Sequence, residues 1–284
     1  MSVVLEGVSR RQPSSGLRPL SSYPPARITP VGGAAHPPGD TVVAMDKVFG
    51  KHSVKAVLMT RPEAVTRLLV AGKESYHRDL IALAQQAGIR HELLPWPEFR
   101  RAGGVTDDDK HQGIVALTRP RPLRTEAELS ELADARVVLA LDQISDPQNL
   151  GTILRSAAFF GVDGALVLKN RAAEVTPLVA RVAVGGAELV PTYRVTNLAR
   201  SLDTLKQLGF WVYGLDERGE RTLAQTEFDA KTVLVVGAEG EGLRQRTKQF
   251  CDVLVRIPGG RAGLESLNAG VATAVALAEV FRDR

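Results

Sequence analysis

Short apolar runs recur between residues 137 and 257 at the spacing of strand–helix units, and no other feature restricts the architecture as much. They cover residues 137–141, 164–168, 189–193, 210–215, 233–236 and 253–257. Most are rich in Val, Leu and Ile with no polar alternation, so such strands need cover on both faces. Helix patterns lie at 152–160 (closed by Gly161), 177–185, 198–208 and 269–279. The prediction is an α/β domain over 136–284 with a mainly parallel sheet and helices on both sides.

The chain of 284 residues has room for a second core. Residues 46–117 read as a small α/β sandwich. A helix is expected from 49 to 58 with Ser53 as its cap, then a strand within 64–71. An amphipathic helix over 77–88 would bury Leu80, Ile81, Leu83, Ala84 and Ala87. Residues 91–94 form a strand, 96–99 lead into a loop, and 112–117 close as a strand. Lys51, His52, Arg100, Arg101, Lys110 and His111 offer an RNA-binding face, although each alone is an ordinary surface charge. Residues 118–135, with two Arg-Pro pairs and a polar helix-like run, read as a linker.

Residues 1–45 form a Pro/Arg-rich tail that lacks the apolar content to offset ordering. Its arginines suit either RNA or an organelle transit peptide. The expected location is therefore the cytoplasm, or a mitochondrion or other organelle if the tail is a targeting segment. A net charge of +4 favours an anionic partner only mildly. The single cysteine, Cys251, excludes an internal disulfide framework and enters a strand as a structural thiol. The five histidines lack metal-ligand spacing, so no metal is expected, and no apolar run reaches the roughly 20 residues of a membrane span.

The first large-domain strand does not run into Gly-x-Gly-x-x-Gly. It meets a polar loop with Asp142, Asp146 and Asn149, followed by Arg155 on a helix. This counts against a nicotinamide-binding oxidoreductase, and no P-loop is present for nucleotide hydrolysis. Glycine-rich loops instead follow the last two strands, at 237–242 and 259–263. Glycines there allow close backbone approach to a ligand.

Three segments together resemble one family. Asp146-Pro147-x-Asn149-x-Gly151-x-x-x-Arg155, then Val236-Gly237-Ala238-Glu239-Gly240-x-Gly242-Leu243, then Ile257-Pro258 with Ser266-Leu267-Asn268, are similar to the three motifs of SpoU/TrmH-type RNA ribose 2′-O-methyltransferases of the SPOUT superfamily. Gly50-Lys51-His52-x-Val54 and Lys110-His111-Gln112-Gly113 resemble the substrate-binding module of its ribosomal-RNA branch, most closely the guanosine-2′-O-methylating enzymes of large-subunit RNA.

The resemblance implies a trefoil-knotted C-terminal domain, an L30e-like N-terminal RNA-binding domain, a homodimer and S-adenosylmethionine as cofactor. It places cofactor contacts at Gly237, Gly242, Ile257, Pro258 and Leu267, and the reaction site at Arg155, Asn149, Glu239, Ser266 and Asn268. A guanidinium seldom releases its proton, so Arg155 is read as a phosphate clamp and alkoxide stabiliser, with the base left open. Asn149 and Asn268 also suit helix caps. Two departures fall in one loop: Gly259 stands where the family usually has Met, and the interval from Ile257 to Ser266 is one residue longer. Other readings are a transfer-RNA or antibiotic-resistance methyltransferase, and an RNA-binding assembly factor that keeps the fold without catalysis.

Overall fold

The computed structural model describes residues 46–121, 124–260 and 266–284. The expected tail and the centre of the loop between Ile257 and Ser266 lie outside these residues.

The smaller unit runs β1 (Asp46–Phe49), α1 (Lys51–Thr60), β2 (Val65–Ala71), α2 (Arg78–Gln86), β3 (His91–Leu94), α3 (Trp96–Gly103) and β4 (Ile114–Thr118). Its sheet has the order β1-β4-β2-β3, with β4 antiparallel to both neighbours and β2 parallel to β3. Alternate residues of β2 serve opposite faces, as a two-residue repeat requires. Leu68 and Val70 pack with Val54, Val57, Leu80 and Ile81, while Leu69 and Ala71 pack with Phe99 and Val105.

Several local expectations are corrected here. Gly50, not Ser53, occupies the N-cap of α1, and Ser53 is buried inside the helix. The loop expected after Trp96 is α3: Pro97 occupies its first turn, where a missing N–H costs little, and Gly104 closes it in the left-handed conformation. Helix α2 ends at Gln86, leaving Ala87 exposed and Leu83 half-buried. Strand β1 had no counterpart in the expected pattern.

The larger unit contains β5 (Arg124–Thr125), β6 (Val137–Asp142), α4 (Pro147–Phe160), β7 (Gly164–Leu168), α5 (Pro177–Ala183), α6 (Gly186–Leu189), β8 (Thr192–Val195), α7 (Leu198–Gln207), β9 (Trp211–Leu215), β10 (Arg221–Thr222), β11 (Thr232–Gly237), α8 (Gln245–Lys248), β12 (Val253–Arg256) and α9 (Ala269–Val280). The eight strands lie in the order β10-β12-β9-β11-β6-β7-β8-β5, all parallel. In β6, Val137, Leu139 and Leu141 face Leu150, Ile153 and Leu154 of α4 and Leu277 of α9. Val138 and Ala140 face Leu202 and Leu205 of α7. Both faces are therefore covered, which is why the runs show no polar alternation.

The 189–193 strand is also corrected. Gly186–Leu189 is helical and β8 begins at Thr192. Helix α4 starts at Pro147 rather than 152, because Asp146 caps it by accepting from the Gln148 N–H at 2.9 Å and proline is tolerated next to the cap. Within the 118–135 segment, β5 pairs with β8, and a 3-10 stretch (Glu126–Asp134) buries Leu129 and Leu132.

Helix α1 of the small unit packs on α6. A Cβ at Gly185 would stand 3.0 Å from the Ala56 Cβ and 3.0 Å from the His52 carbonyl oxygen, and its φ of +92° also demands glycine. Arg61 donates to both carboxylate oxygens of Glu188, from Nε at 2.7 Å and Nη2 at 3.1 Å. Gly186 in turn lies against Leu154 and Arg155, since a Cβ there would stand 2.9 Å from the Arg155 Cα. The small unit therefore packs on α6, which in turn lies against the helix that carries Arg155.

Candidate active site

Parallel strands place all their carboxyl ends on one edge of the sheet, where loops leave room for ligands. Gly237 at the end of β11 is in register with Asp142 at the end of β6. The chain after Gly237 turns back at once, with the Gly242 N–H donating to the Ala238 carbonyl at 2.9 Å. A Cβ on Gly237 would lie 2.2 Å from the Gly242 carbonyl carbon, so this turn tolerates only glycine. Gly242 itself takes a φ of +65°.

A buried ion pair fixes this turn to the neighbouring strand. The Asp142 side chain is fully buried, and Arg244 donates to its Oδ1 from Nε at 2.7 Å, with Nη2 in ion-pair contact with the same oxygen at 2.6 Å. The Arg244 backbone N–H reaches Oδ2 at 3.1 Å. Arg244 was not among the sequence candidates. Its partner lies 102 residues away, and no local spacing marks the contact.

Three polar candidates converge beside this turn. Asn268 Nδ2 donates to Asn149 Oδ1 at 2.7 Å, and Asn149 Nδ2 donates to Glu239 Oε2 at 3.2 Å. A longer contact of 3.4 Å joins Asn268 Nδ2 to the same Glu239 oxygen. Asn268 also caps α9, accepting from the N–H groups of Gly270 at 2.9 Å and Val271 at 3.3 Å. Its orientation is thereby set by a helix terminus. Asn149 is buried in the first turn of α4 and is not the cap of that helix, which is Asp146. Glu239 is exposed, so the cluster opens to solvent.

The remaining candidates make no hydrogen bond to this cluster among the described residues. Ile257 is half-buried against the main core, whereas Pro258, Ser266 and Leu267 are exposed, Leu267 at 44%. Arg155 is exposed on α4, and its side chain makes no hydrogen bond or ion pair among the described residues. Cys251 is half-buried, its thiol pushed up to about 12 by desolvation, which makes it inert as a nucleophile at neutral pH. Of the expected RNA face, His111 is buried, accepting from the Gly113 N–H at 3.0 Å, and Arg100 is paired with Asp107. No group of three or more His, Cys, Asp or Glu able to hold a metal occurs among the described residues, and no helix there is long and apolar enough to cross a membrane.

Residues 136–278 match the SpoU rRNA Methylase family, and residues 47–123 match the family described as RNA 2′-O ribose methyltransferase substrate binding. A 23S rRNA (guanosine-2′-O-)-methyltransferase, RlmB, from Pseudomonas aeruginosa is 40% identical over 252 residues, covering 84% of this chain and 97% of that protein. Its counterpart from Pseudomonas syringae pv. tomato is 39% identical over 253 residues, covering 84% and 96%. Among solved structures, the SpoU methyltransferase AviRb from Streptomyces viridochromogenes, in complex with its cofactor AdoMet, matches with a TM-score of 0.66 and 24% identity. That match covers 84% of this chain and 90% of the other, and it establishes the fold.

Proposed function

The chain belongs to the SpoU rRNA methylase family, and from that membership we propose that it methylates a guanosine ribose 2′-hydroxyl in 23S-type ribosomal RNA, using S-adenosylmethionine. The observation that carries the reading is the Asn149–Glu239–Asn268 cluster at the carboxyl edge of the sheet, beside the glycine turn at 237–242.

The residues present suit the cofactor. Among the described residues, chain neighbours apart, no heavy atom lies within 4 Å of where a Cβ would stand on Gly240, Gly242 or Gly259, and Leu267 presents apolar surface nearby in the chain. Gly237, Gly242, Ile257, Pro258 and Leu267 would hold the adenosine portion, backbone groups meeting its polar edge and the Ile and Leu side chains covering its faces. When bound, S-adenosylmethionine supplies a methyl group already activated on a sulfonium.

The chain itself must position and polarise a poor nucleophile, the ribose hydroxyl. Asn149, held by Asn268 and Glu239, offers an amide of fixed orientation. The Glu239 carboxylate and Ser266 hydroxyl add hydrogen-bonding groups for the sugar. Arg155, a lasting positive charge without a partner among the described residues, is assigned to the RNA phosphate and the developing alkoxide. We further propose a trefoil-knotted homodimer acting in the cytoplasm. Phe159, four residues after Arg155 and 83% exposed, together with exposed Val271 and Val275 of α9, leaves apolar surface that a second copy would cover.

Calorimetric titration of S-adenosylmethionine into the protein, with and without ribosomal RNA, tests the cofactor site. Saturable binding is expected, at least about ten-fold weaker in Leu267→Arg, which puts an unpaired charge on the apolar surface. Silence in both titrations would leave an RNA-binding protein of this fold and defeat the enzymatic reading.

A further inference from the structure

In the small unit, the ends of β1, β2 and β3 and the start of β4 meet at one pole, far in sequence from the Asn149 cluster. Four residues there have left-handed backbones: Gly50 (φ +83°), Gly72 (φ +81°), Gln112 (φ +54°) and Gly113 (φ +77°). Gln112 is the unusual one, because only a non-glycine residue pays for that conformation sterically, and its side chain gives the reason. Its Oε1 accepts the Lys51 N–H at 2.9 Å, capping the ten-residue helix α1 from 61 residues away.

Around this backbone knot, aromatic side chains are turned outward. Trp96 lies over the two glycines, since a Cβ on Gly72 would be 3.4 Å, and one on Gly113 3.3 Å, from its six-membered ring. The indole nevertheless remains 43% exposed. Phe99 and His111 hold it from beneath at ring-centroid distances of 5.8 Å each. Tyr76 is 64% exposed, and its carbonyl receives the Lys51 ammonium at 2.7 Å. Next to it, His77 is buried, and its Nδ1 has no partner among the described residues. Burial and the Lys51 charge both lower the proton affinity of that ring, leaving it neutral with unused hydrogen-bonding capacity. Exposed Lys73 and Lys110 flank the pole.

Two exposed aromatic planes on a rigid base, with ammonium groups around them, match unpaired RNA. Every nucleobase offers a π-face, whereas a paired helix hides its faces and shows only phosphates and groove edges. An acidic peptide would use the lysines but leave the exposed rings without a stacking partner.

We propose that Trp96 and Tyr76 form a stacking platform for unpaired bases of the substrate RNA, with Lys51, Lys73 and Lys110 tracking the adjoining phosphates. This deepens the methyltransferase reading and rests on it for the identity of the RNA. The platform selects substrates in which a single-stranded loop adjoins the nucleotide to be modified, and it acts in binding, apart from the reacting atoms.

Trp96 and Trp211 are the two tryptophans of the chain, so a Trp211→Phe background isolates the Trp96 emission. Titration with an RNA hairpin bearing an unpaired loop should quench it saturably, and a blunt duplex of equal length should quench it far less. By calorimetric titration, which needs no indole, Tyr76→Ala and Trp96→Ala should each weaken hairpin binding about ten-fold, Trp96→Phe should lose much less, and cofactor affinity should not change. Ring retention by phenylalanine separates stacking from a fold defect. Hairpin affinity within two-fold of wild type in both alanine variants, or equal binding of duplex and hairpin, would overturn the platform. If quenching behaves as stated but no methyl group is transferred to any RNA, the platform stands and the enzymatic reading falls.

Discussion

Replacing Arg155 by alanine is expected to lower kcat by about 10²–10³-fold while leaving stability within about 0.5 kcal/mol of wild type. The two halves of the prediction have different origins. Arg155 is exposed on α4, its side chain bonds to nothing among the described residues, and alanine is at least as good a helix former, so the fold has nothing to lose. An arginine without a side-chain partner among the described residues, six residues beyond the buried Asn149, is free to meet an anionic substrate. Arg155→Lys keeps the charge but loses the planar fork, and should recover only part of the activity. Steady-state kinetics beside urea unfolding reads both halves. Unchanged kcat in Arg155→Ala would reduce the residue to surface charge.

Arg244→Ala is expected to destabilise the protein by about 3 kcal/mol, near the lower end of the cost of breaking a buried ion pair. The two partners are unequal: the Asp142 side chain is fully buried, while that of Arg244 is 43% exposed. Removing the arginine strands a carboxylate inside the protein with one backbone N–H still donating to it, which keeps the cost below the maximum. Removing the acid instead leaves a guanidinium that can turn into water. Asp142→Asn should therefore cost less than Arg244→Ala, and the double variant should be more stable than Arg244→Ala alone. A double-mutant cycle by urea unfolding measures this. Equal, additive losses would mean that burial of the carboxylate does not govern the pair. Against a typical total stability of about 5–15 kcal/mol, the single loss is large.

The central strands of the large sheet were legible because burial on both faces leaves an uninterrupted apolar run, as in Val137 to Leu141. Short elements with one or two buried residues were not. Helix α3 buries little beyond Phe99 and Gly103 and opens with proline, so its sequence looks like a turn. Strand β1 buries only Val48 of its four residues. The start of α4 was hidden because Pro147 reads as a breaker until Asp146 is seen capping that turn. At the site, the motifs pointed to Asn149, Glu239 and Asn268 one by one, but their mutual bonds span as many as 119 residues. Tertiary pairing creates those contacts, and no local pattern encodes them. The same holds for Arg244, which follows the motif glycines and leucine yet pairs with a residue at the end of β6.

Ribose methylation is read most directly by transferring a labelled methyl group from S-adenosylmethionine to a 23S-type ribosomal RNA transcript and hydrolysing the product completely in alkali. Alkaline cleavage needs a free 2′-hydroxyl, so a 2′-O-methylated ribose protects its own phosphodiester and survives in a dinucleotide. Label is expected in one alkali-resistant dinucleotide that begins with guanosine, and it should nearly disappear with Arg155→Ala. Label recovered in mononucleotides would place the methyl group on a base, and no incorporation into any ribosomal RNA would deny transfer altogether. Either result would contradict the proposed chemistry.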